Sequence, residues 1–431
     1  MSLESINLTL RDRLPAFDAA LSPLGRRAFY PLDIPFQAGQ AKGTTYNGTI
    51  GIFTDGHGGS VPLRSVDAAL RLSETDRDRA LLYSPVAGIP EVRQLWREWQ
   101  RRGQGDDRPS TLPMVTIGLA HGLSLVADLF GGEGRVVAVP TPFWGNYRQG
   151  FALRTGAEIR SAPMFHGDTF NPRMIADALE GLPAGEPAVA IVNFPSNPGG
   201  YSPTVDERAS LRASLLEIAD ERPLVVVCDD AYTGFVFEPD IPKESFFWEL
   251  AGAHPSLIPV KIDGATKEFA LFGGRVGFLT FGLDLDEETW KAIESKCQSL
   301  ARSTIGSPVA LGQIFLAQSL REGRAEAEVA EIFRIGKERY DAVLPAVAEL
   351  DRSLLRPLPF NSGFFVLLEL PADCGVSANA IREHLIEHHD TGVVSIRDRY
   401  LRLALCSVAA EALPELVRRV ERGTRERIAM G

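Results

Sequence analysis

Cysteine is scarce in this chain. Its four thiols, Cys228, Cys297, Cys374 and Cys406, stand far apart with no paired spacing, which excludes a disulfide framework or cysteine zinc site and fits reduced cytosolic thiols. Long apolar runs are missing as well. No uninterrupted stretch approaches the roughly 20 residues of a membrane-spanning helix, and the opening residues MSLESINLTLRDRLPAF carry no basic-then-apolar signal pattern. Nor is there an excess of positive charge. The net charge is −11, with acidic residues well mixed among basic ones, so neither nucleic acid nor an anionic membrane surface is expected as a partner. The expectation is a soluble cytoplasmic protein whose anionic ligands meet local sites.

What the chain does have is length and apolar material. At 431 residues it exceeds the size at which one core keeps growing, so two lobes are expected. Short apolar runs rich in valine and isoleucine recur at 115–117, 135–139, 188–194, 224–228, 257–262 and 276–281. Continuous rather than alternating apolar residues indicate strands buried on both faces, as in a mostly parallel sheet covered by helices. The pattern then changes. Residues 324–350 place Val329, Ile332, Phe333, Tyr340, Val343, Leu344 and Val347 at helical spacing, which predicts a long amphipathic connecting helix. Residues 361–370 and 400–408 read as strands of a smaller lobe, with the helix IREHLIEHH between them.

In open α/β sheets, ligands bind beyond the carboxyl ends of the strands. The residues there are chemically coherent. GLAHGLSL (118–125) is a glycine turn entering a helix, whose free amides suit a phosphate. PTPFWGNY (140–147) puts Trp144 where an indole can cover a flat ring. In NFPSNPGG (193–200), Asn197 offers an amide donor, aimed by an Asn197-Pro198 bond able to be cis. In DDAYTGF (229–235), Asp229 and Tyr232 leave a buried strand; a carboxylate at that depth needs a partner, such as a protonated ring nitrogen. Lys267 and Arg275, eight residues apart, pair an amine that turns nucleophilic once desolvated with a forked guanidinium. Each feature alone has a plain explanation in turn chemistry, core packing or surface charge. Together, on successive strand ends, they supply a lysine for a Schiff base, an aspartate for a pyridinium nitrogen, a phenol and an amide for a ring hydroxyl, a stacking aromatic, and an arginine with helix amides for a phosphate. That set describes pyridoxal phosphate.

The segments IGIFTD (50–55), YSPVAGIPEVR (83–93), PTPFWGNY, NFPSNPGG, DDAYTGF, TKEFALFGGRVGF (266–278) and YLRLALC (400–406) occur in this order. On them the chain resembles the fold-type I pyridoxal-phosphate aminotransferases of the aspartate and aromatic group, over nearly its whole length. The resemblance implies an α/β fold with a large domain built on a mostly parallel seven-stranded sheet, plus a smaller α+β domain. Residues 1–60 would form an N-terminal arm and part of the small domain, 61–323 the large domain, and 324–431 the connecting helix and the rest of the small domain. It implies that Lys267 forms the Schiff base and shuttles the substrate proton, that Asp229 holds the ring nitrogen protonated, and that Tyr232 and Asn197 bond the ring hydroxyl. Trp144 would stack on the ring. Arg275 would hold the phosphate with the amides of Leu119 and Ala120, and Tyr83 would reach that phosphate from the second subunit of a homodimer. Arg402 would bind the substrate carboxylate, near the Gly51 amide. Three positions depart from the family pattern: Gly264 stands where a serine is usual, with Thr266 placed to compensate; Leu119 and Ala120 offer only backbone; and Gly199 replaces a threonine.

The implied activity is transfer of an amino group from an L-amino acid to a 2-oxo acid in two half reactions. The same residues could serve a lyase or decarboxylase, or a ligand sensor; the acidic chain and the lack of a DNA-binding segment ahead of the core disfavour the sensor. Aromatic or varied donors with 2-oxoglutarate as acceptor are expected from the resemblance, with Phe364 and Phe365 lining the pocket, and no residue is assigned to a distal carboxylate. His384 and His388 sit one helical turn apart, but no other zinc ligands are evident, so a solvated helix face and no metal are expected. Arg397 and Arg399 read as a charged loop before a strand.

Overall fold

A computed structural model describes residues 2–31, 33–102, 108–321 and 323–431. Among the helices that precede the sheet are α1 (Ile34–Gln40) and α2 (Pro90–Gln100). The apolar runs then become strands. β1 (Met114–Thr116) turns into helix α3 (Gly118–Phe130), and β2 (Val136–Ala138) precedes β3 (Glu158–Arg160). β4 (Ala188–Asn193) leads to helix α4 (Val205–Glu221), started by a reciprocal capping pair of Thr204 and Glu207. β5 (Leu224–Asp229), β6 (Leu257–Gly264), the short helix α5 (Ala265–Glu268) and β7 (Gly277–Phe281) complete the set.

These form one seven-stranded sheet in the order β1-β7-β6-β5-β4-β2-β3. All residues of β1, β2, β4, β5 and β7 are buried, which is why their sequences read as unbroken apolar runs. The seventh strand, β3, carries Glu158 and Arg160 and lies at the sheet edge. A solvated edge strand tolerates charge, so no apolar run marks it.

Adjacent strands are parallel except that β7 runs against both its neighbours. Gly277 at its start therefore stands opposite Gly264 and Thr116. Arg275, which precedes β7, reaches the same sheet edge as residues that follow β1, β4, β5 and β6.

The predicted connecting helix is α6 (Ala325–Ala348), which buries Ile332, Tyr340, Val343 and Val347. Beyond it come β8 (Arg356–Pro357), β9 (Phe365–Glu369), α7 (Ala378–His389), β10 (Val394–Ile396), β11 (Tyr400–Ala404) and α8 (Leu413–Ala429). The strands make an antiparallel sheet ordered β8-β9-β11-β10. Leu401 and Leu403 pack with Ile381, Leu385, Leu416 and Val420 beneath this sheet. Strand alternation sends Arg402 to the opposite face, toward the end of the larger sheet. Helix α1 is tied to β10 by Gln37, whose Nε2 donates to Ser395 O at 3.1 Å while its Oε1 accepts from Ser395 N at 2.8 Å. No described helix is long and apolar enough to cross a membrane.

Candidate active site

Gly51, Leu119, Ala120, Trp144, Asn197, Asp229, Tyr232, Thr266, Lys267, Arg275 and Arg402 line one cavity of ≈ 330 Å³ at the carboxyl edge of the seven-stranded sheet. Ile34, Pro35, Ile50, Ile52 and Phe365 give it an apolar wall. Tyr83 is the expected site residue that does not reach it; its side chain is 97 % exposed.

Asp229 closes strand β5 and is buried. It accepts hydrogen bonds from Tyr147 Oη at 2.6 Å and Ala231 N at 3.2 Å. Burial still wins over these bonds and pushes its carboxyl up to about 6. Asn193, opposite Asp229 in the β4–β5 register, donates from Nδ2 to the Asp229 carbonyl at 2.7 Å and accepts the Asn197 amide on Oδ1 at 2.7 Å. Asn197, so fixed, donates from Nδ2 to Tyr232 Oη at 3.3 Å, and the Asn197-Pro198 bond is cis. Sequence reasoning did not single out Tyr147 or Asn193. Both sit inside the motifs quoted above, and the available signal was a polar group at the end of a buried strand and a phenol one helical turn past Trp144. Trp144 is half-buried on the cavity wall, edge-on to Tyr147 with ring centroids 5.7 Å apart.

Lys267 lies on α5, and its Nζ donates to the Gly51 carbonyl at 2.8 Å. Thus Gly51 engages the lysine through its oxygen, a contact the expected role of its amide did not include. Burial is the main reason the amine is lowered to about 8, and Arg402 and Arg275 push the same way. The ammonium site faces the rings of Phe272 at 4.7 Å and Tyr232 at 5.6 Å. Arg275 has a left-handed backbone (φ 52°) and holds its guanidinium against Gly118 at the start of α3, a helix whose N-terminus has no side-chain cap. Close by in the same cavity, Thr266 Oγ1 is buried with no hydrogen-bond partner. The missing serine at 264 has a steric reason: a side-chain carbon there would lie 2.5 Å from Val276 O.

Arg402 is 1 % exposed. It donates to Thr49 O at 2.6 Å and Asn197 Oδ1 at 3.2 Å, lies 4.2 Å over the Phe365 ring, and keeps Nε buried without a partner. Burial lowers it to about 10.

These observations test the fit of a cofactor. An uncapped helix start, a spare buried hydroxyl and an arginine beside them make an anion cup. The buried Asp229 has no ion pair among the described residues, as a carboxylate waiting for a protonated ring nitrogen should. The weakly basic Lys267 suits a carbonyl. The donor set fits pyridoxal phosphate.

Two expectations need correction, those for Phe364 and His384. Phe364 does not line the cavity: it packs against Phe53, Phe235 and Tyr232 in the core, and only Phe365 faces inward, as alternation on an extended chain requires. Arg397 and Arg399 do lie on an exposed turn before a strand, as expected; Arg399 pairs with Glu369 at 2.7 Å, whereas Arg397 turns toward the cavity mouth. A left-handed turn at Arg397 and Asp398 (φ 50° and 55°) brings its guanidinium 4.6 Å from the Phe143 ring, with Arg148 5.1 Å from the same ring. Arg148 and Arg397 line a second cavity of ≈ 640 Å³ that shares Ile34, Pro35, Trp144 and Asn197 with the first. The solvated helix face holds for His388 alone, because His384 is buried against α8.

The family model for aminotransferase class I and II matches residues 49–420. The chain is 26% identical over 355 residues to aromatic-amino-acid aminotransferase 2 of Thermococcus litoralis, covering 80% of this chain and 84% of that protein. It is 28% identical over 382 residues to the 2-aminoadipate transaminase of Thermus thermophilus, covering 85% and 87%. A crystal structure of an aminotransferase from Anaerococcus prevotii superposes with a TM-score of 0.81 at 20% identity, covering 92% of this chain and 98% of that one.

Proposed function

Because this chain belongs to the class I and II aminotransferase family, we propose that the ≈ 330 Å³ cavity is its active site and that Lys267, Asp229 and Tyr232 are the catalytic residues. The chain is a pyridoxal-phosphate-dependent aminotransferase that moves an amino group from an amino acid to a 2-oxo acid. Bound pyridoxal phosphate supplies a carbonyl that takes the amine and a conjugated ring that spreads negative charge from the substrate α-carbon.

Lys267 Nζ would face that carbonyl and would carry the proton that leaves the substrate α-carbon; an amine lowered to about 8 is matched to this work. Asp229, held by the Tyr147 hydroxyl, keeps the ring nitrogen protonated. Tyr232 and Asn197 turn their donors to the ring oxygen. Arg275, Thr266 Oγ1 and the Leu119 and Ala120 amides would hold the phosphate, and Trp144 would cover the ring. Arg402 clamps the substrate α-carboxylate through its free Nε edge, with Gly51 beside it. The single observation that carries this reading is the unpaired lysine and aspartate in one cavity.

The functional unit is a cytoplasmic homodimer in which Tyr83 completes the partner's phosphate site. Leu70, Leu81, Leu82 and Tyr83 are 65 %, 78 %, 70 % and 97 % exposed, an apolar stretch suited to a second copy. We retain the division at 1–60, 61–323 and 324–431. The apolar wall favours aromatic or varied amino donors, as the name of the Thermococcus relative also suggests. The Arg148 and Arg397 pair at the mouth suits the second carboxylate of 2-oxoglutarate as acceptor.

Mixing the holoenzyme with one amino acid alone should yield stoichiometric pyridoxamine phosphate and 2-oxo acid; ammonia in their place would rule out transfer. For the acceptor, Arg397→Gln should raise KM for 2-oxoglutarate about tenfold and leave that for phenylpyruvate unchanged. Equal shifts for both acceptors would remove Arg397 from the specificity site.

A further inference from the structure

Helix α7 carries His384 and ends at His389, and both imidazoles turn toward Glu426 of helix α8. His389 Nε2 lies 2.9 Å and His384 Nε2 3.6 Å from the same Glu426 Oε2, and the three ligand atoms fall within 4.8 Å of one another. The histidines are 7 % and 8 % exposed, while the glutamate side chain is 44 % exposed. His384 Nε2 is fully buried and has no hydrogen-bond partner. Buried imidazole nitrogens ordinarily have one, and 3.6 Å to Glu426 is beyond hydrogen-bond reach.

The surrounding structure holds the cluster in place. Gly423 lets the two helices approach, since a side-chain carbon there would lie 2.6 Å from Leu385 and 2.9 Å from the His389 ring. The His389 carbonyl accepts from Arg419 Nη1 and Thr391 Oγ1, each at 2.7 Å, so the helix end that carries the imidazole is anchored. None of the three residues lines the cofactor cavity.

We propose that His384, His389 and Glu426 form a binding site for a divalent transition-metal ion of the zinc class, which clamps α7 to α8. Two imidazoles and one carboxylate are a zinc donor set, with metal–ligand bonds of about 2.0–2.2 Å. Tetrahedral geometry then puts donors roughly 3.3–3.5 Å apart; the two imidazole–carboxylate separations of 2.9 and 3.6 Å bracket that spacing, and all three donors lie within 4.8 Å of one another. The ion bonds the orphaned His384 Nε2, and its fourth position opens to water on the exposed side of Glu426. His388 is left out: its side chain is 53 % exposed and turned to Glu387. The spacing that suggests zinc in the sequence, 384 to 388, is therefore not the one the fold uses.

The test is calorimetric titration of tag-free holoenzyme with zinc chloride, comparing wild type with Glu426→Gln, His389→Gln and His388→Gln. The proposal requires one ion per chain in wild type and His388→Gln, and affinity weakened at least about tenfold in the other two. Cobalt(II), as a second probe, should give the visible ligand-field band of a four-coordinate site in wild type, a result independent of whether any variant folds. No zinc binding by wild type, or equal binding by wild type and Glu426→Gln, overturns the site and leaves a hydrogen-bonded network only.

Discussion

Strand β5 ends at Asp229 with Asp230 directly after it, and β6 and the following helix α5 each supply a lysine; one aspartate–lysine set is closed and the other open. Asp230 meets Lys261 directly, Lys261 also reaches Asp263 at 3.2 Å, and Ser245 donates to Asp230 at 2.6 Å. Asp263 accepts from Trp96 and Gln100 as well. Asp229 and Lys267, on the other side of the same strand ends, make no ion pair. Burial acts on both sets, favouring the neutral forms. In the closed set burial still raises Asp230, but at Lys261 the two carboxylates outweigh it and raise the amine above its ordinary value. In the open set burial prevails, lifting Asp229 to about 6 and lowering Lys267 to about 8. The same residue types at neighbouring strand ends thus give a structural brace in one place and two reactive groups in the other. What differs is whether the protein supplies the partner or leaves it to a ligand.

The comparison breaks most visibly at Lys267. Lys267→Ala should reduce turnover by on the order of 10⁵-fold or more, measured as single-turnover conversion of an amino acid, and retention of substantial activity would remove the lysine from the chemistry. Asp229→Asn keeps the shape and loses the charge that holds the ring nitrogen protonated, so kcat should fall by about 10³-fold; a loss confined to KM would contradict its role. Lys261→Met acts on the closed set and should behave oppositely. It leaves Asp230 and Asp263 buried without their cation, a destabilisation of about 3–5 kcal/mol in denaturant unfolding, while kcat of the folded enzyme stays within about twofold. A large kcat defect there would show that the sets are not separate. Tyr147→Phe should be mildest, about tenfold in kcat, because it removes one hydrogen bond to Asp229 worth roughly 1.5 kcal/mol.

Much of the open set was legible in the sequence because each member follows or precedes a buried strand, and such strands advertise themselves as apolar runs. Lys267, Asp229, Tyr232, Asn197 and Arg275 all gather in one cavity for that reason. Arg402 was legible through the resemblance of its motif alone, since an arginine within a strand has no spacing of its own. The closed set was not seen. Lys261 lies inside an apolar run whose partners come from 31 residues earlier and from the next strand position on the same face, and no local pattern encodes such a contact. Tyr147 and Arg397 escaped for a related cause: helix phase and a left-handed turn decide where they point, and neither is readable from composition. β3 escaped because an edge strand has one wet side.

The central claim is that Lys261 and Lys267 differ in charge because one is ion-paired and the other is not. It is tested most directly by a site-resolved NMR titration of the apoenzyme with ¹³Cε-labelled lysine, assigned with Lys267→Arg and Lys261→Met. A lysine with a lowered value loses its proton as pH rises through that value, so Lys267 should titrate near pH 8, while Lys261 should remain charged beyond the ordinary lysine range of about 10.4. If Lys267 holds its proton to that ordinary range, or Lys261 loses its own as early as Lys267, the distinction drawn between the open and closed sets is wrong.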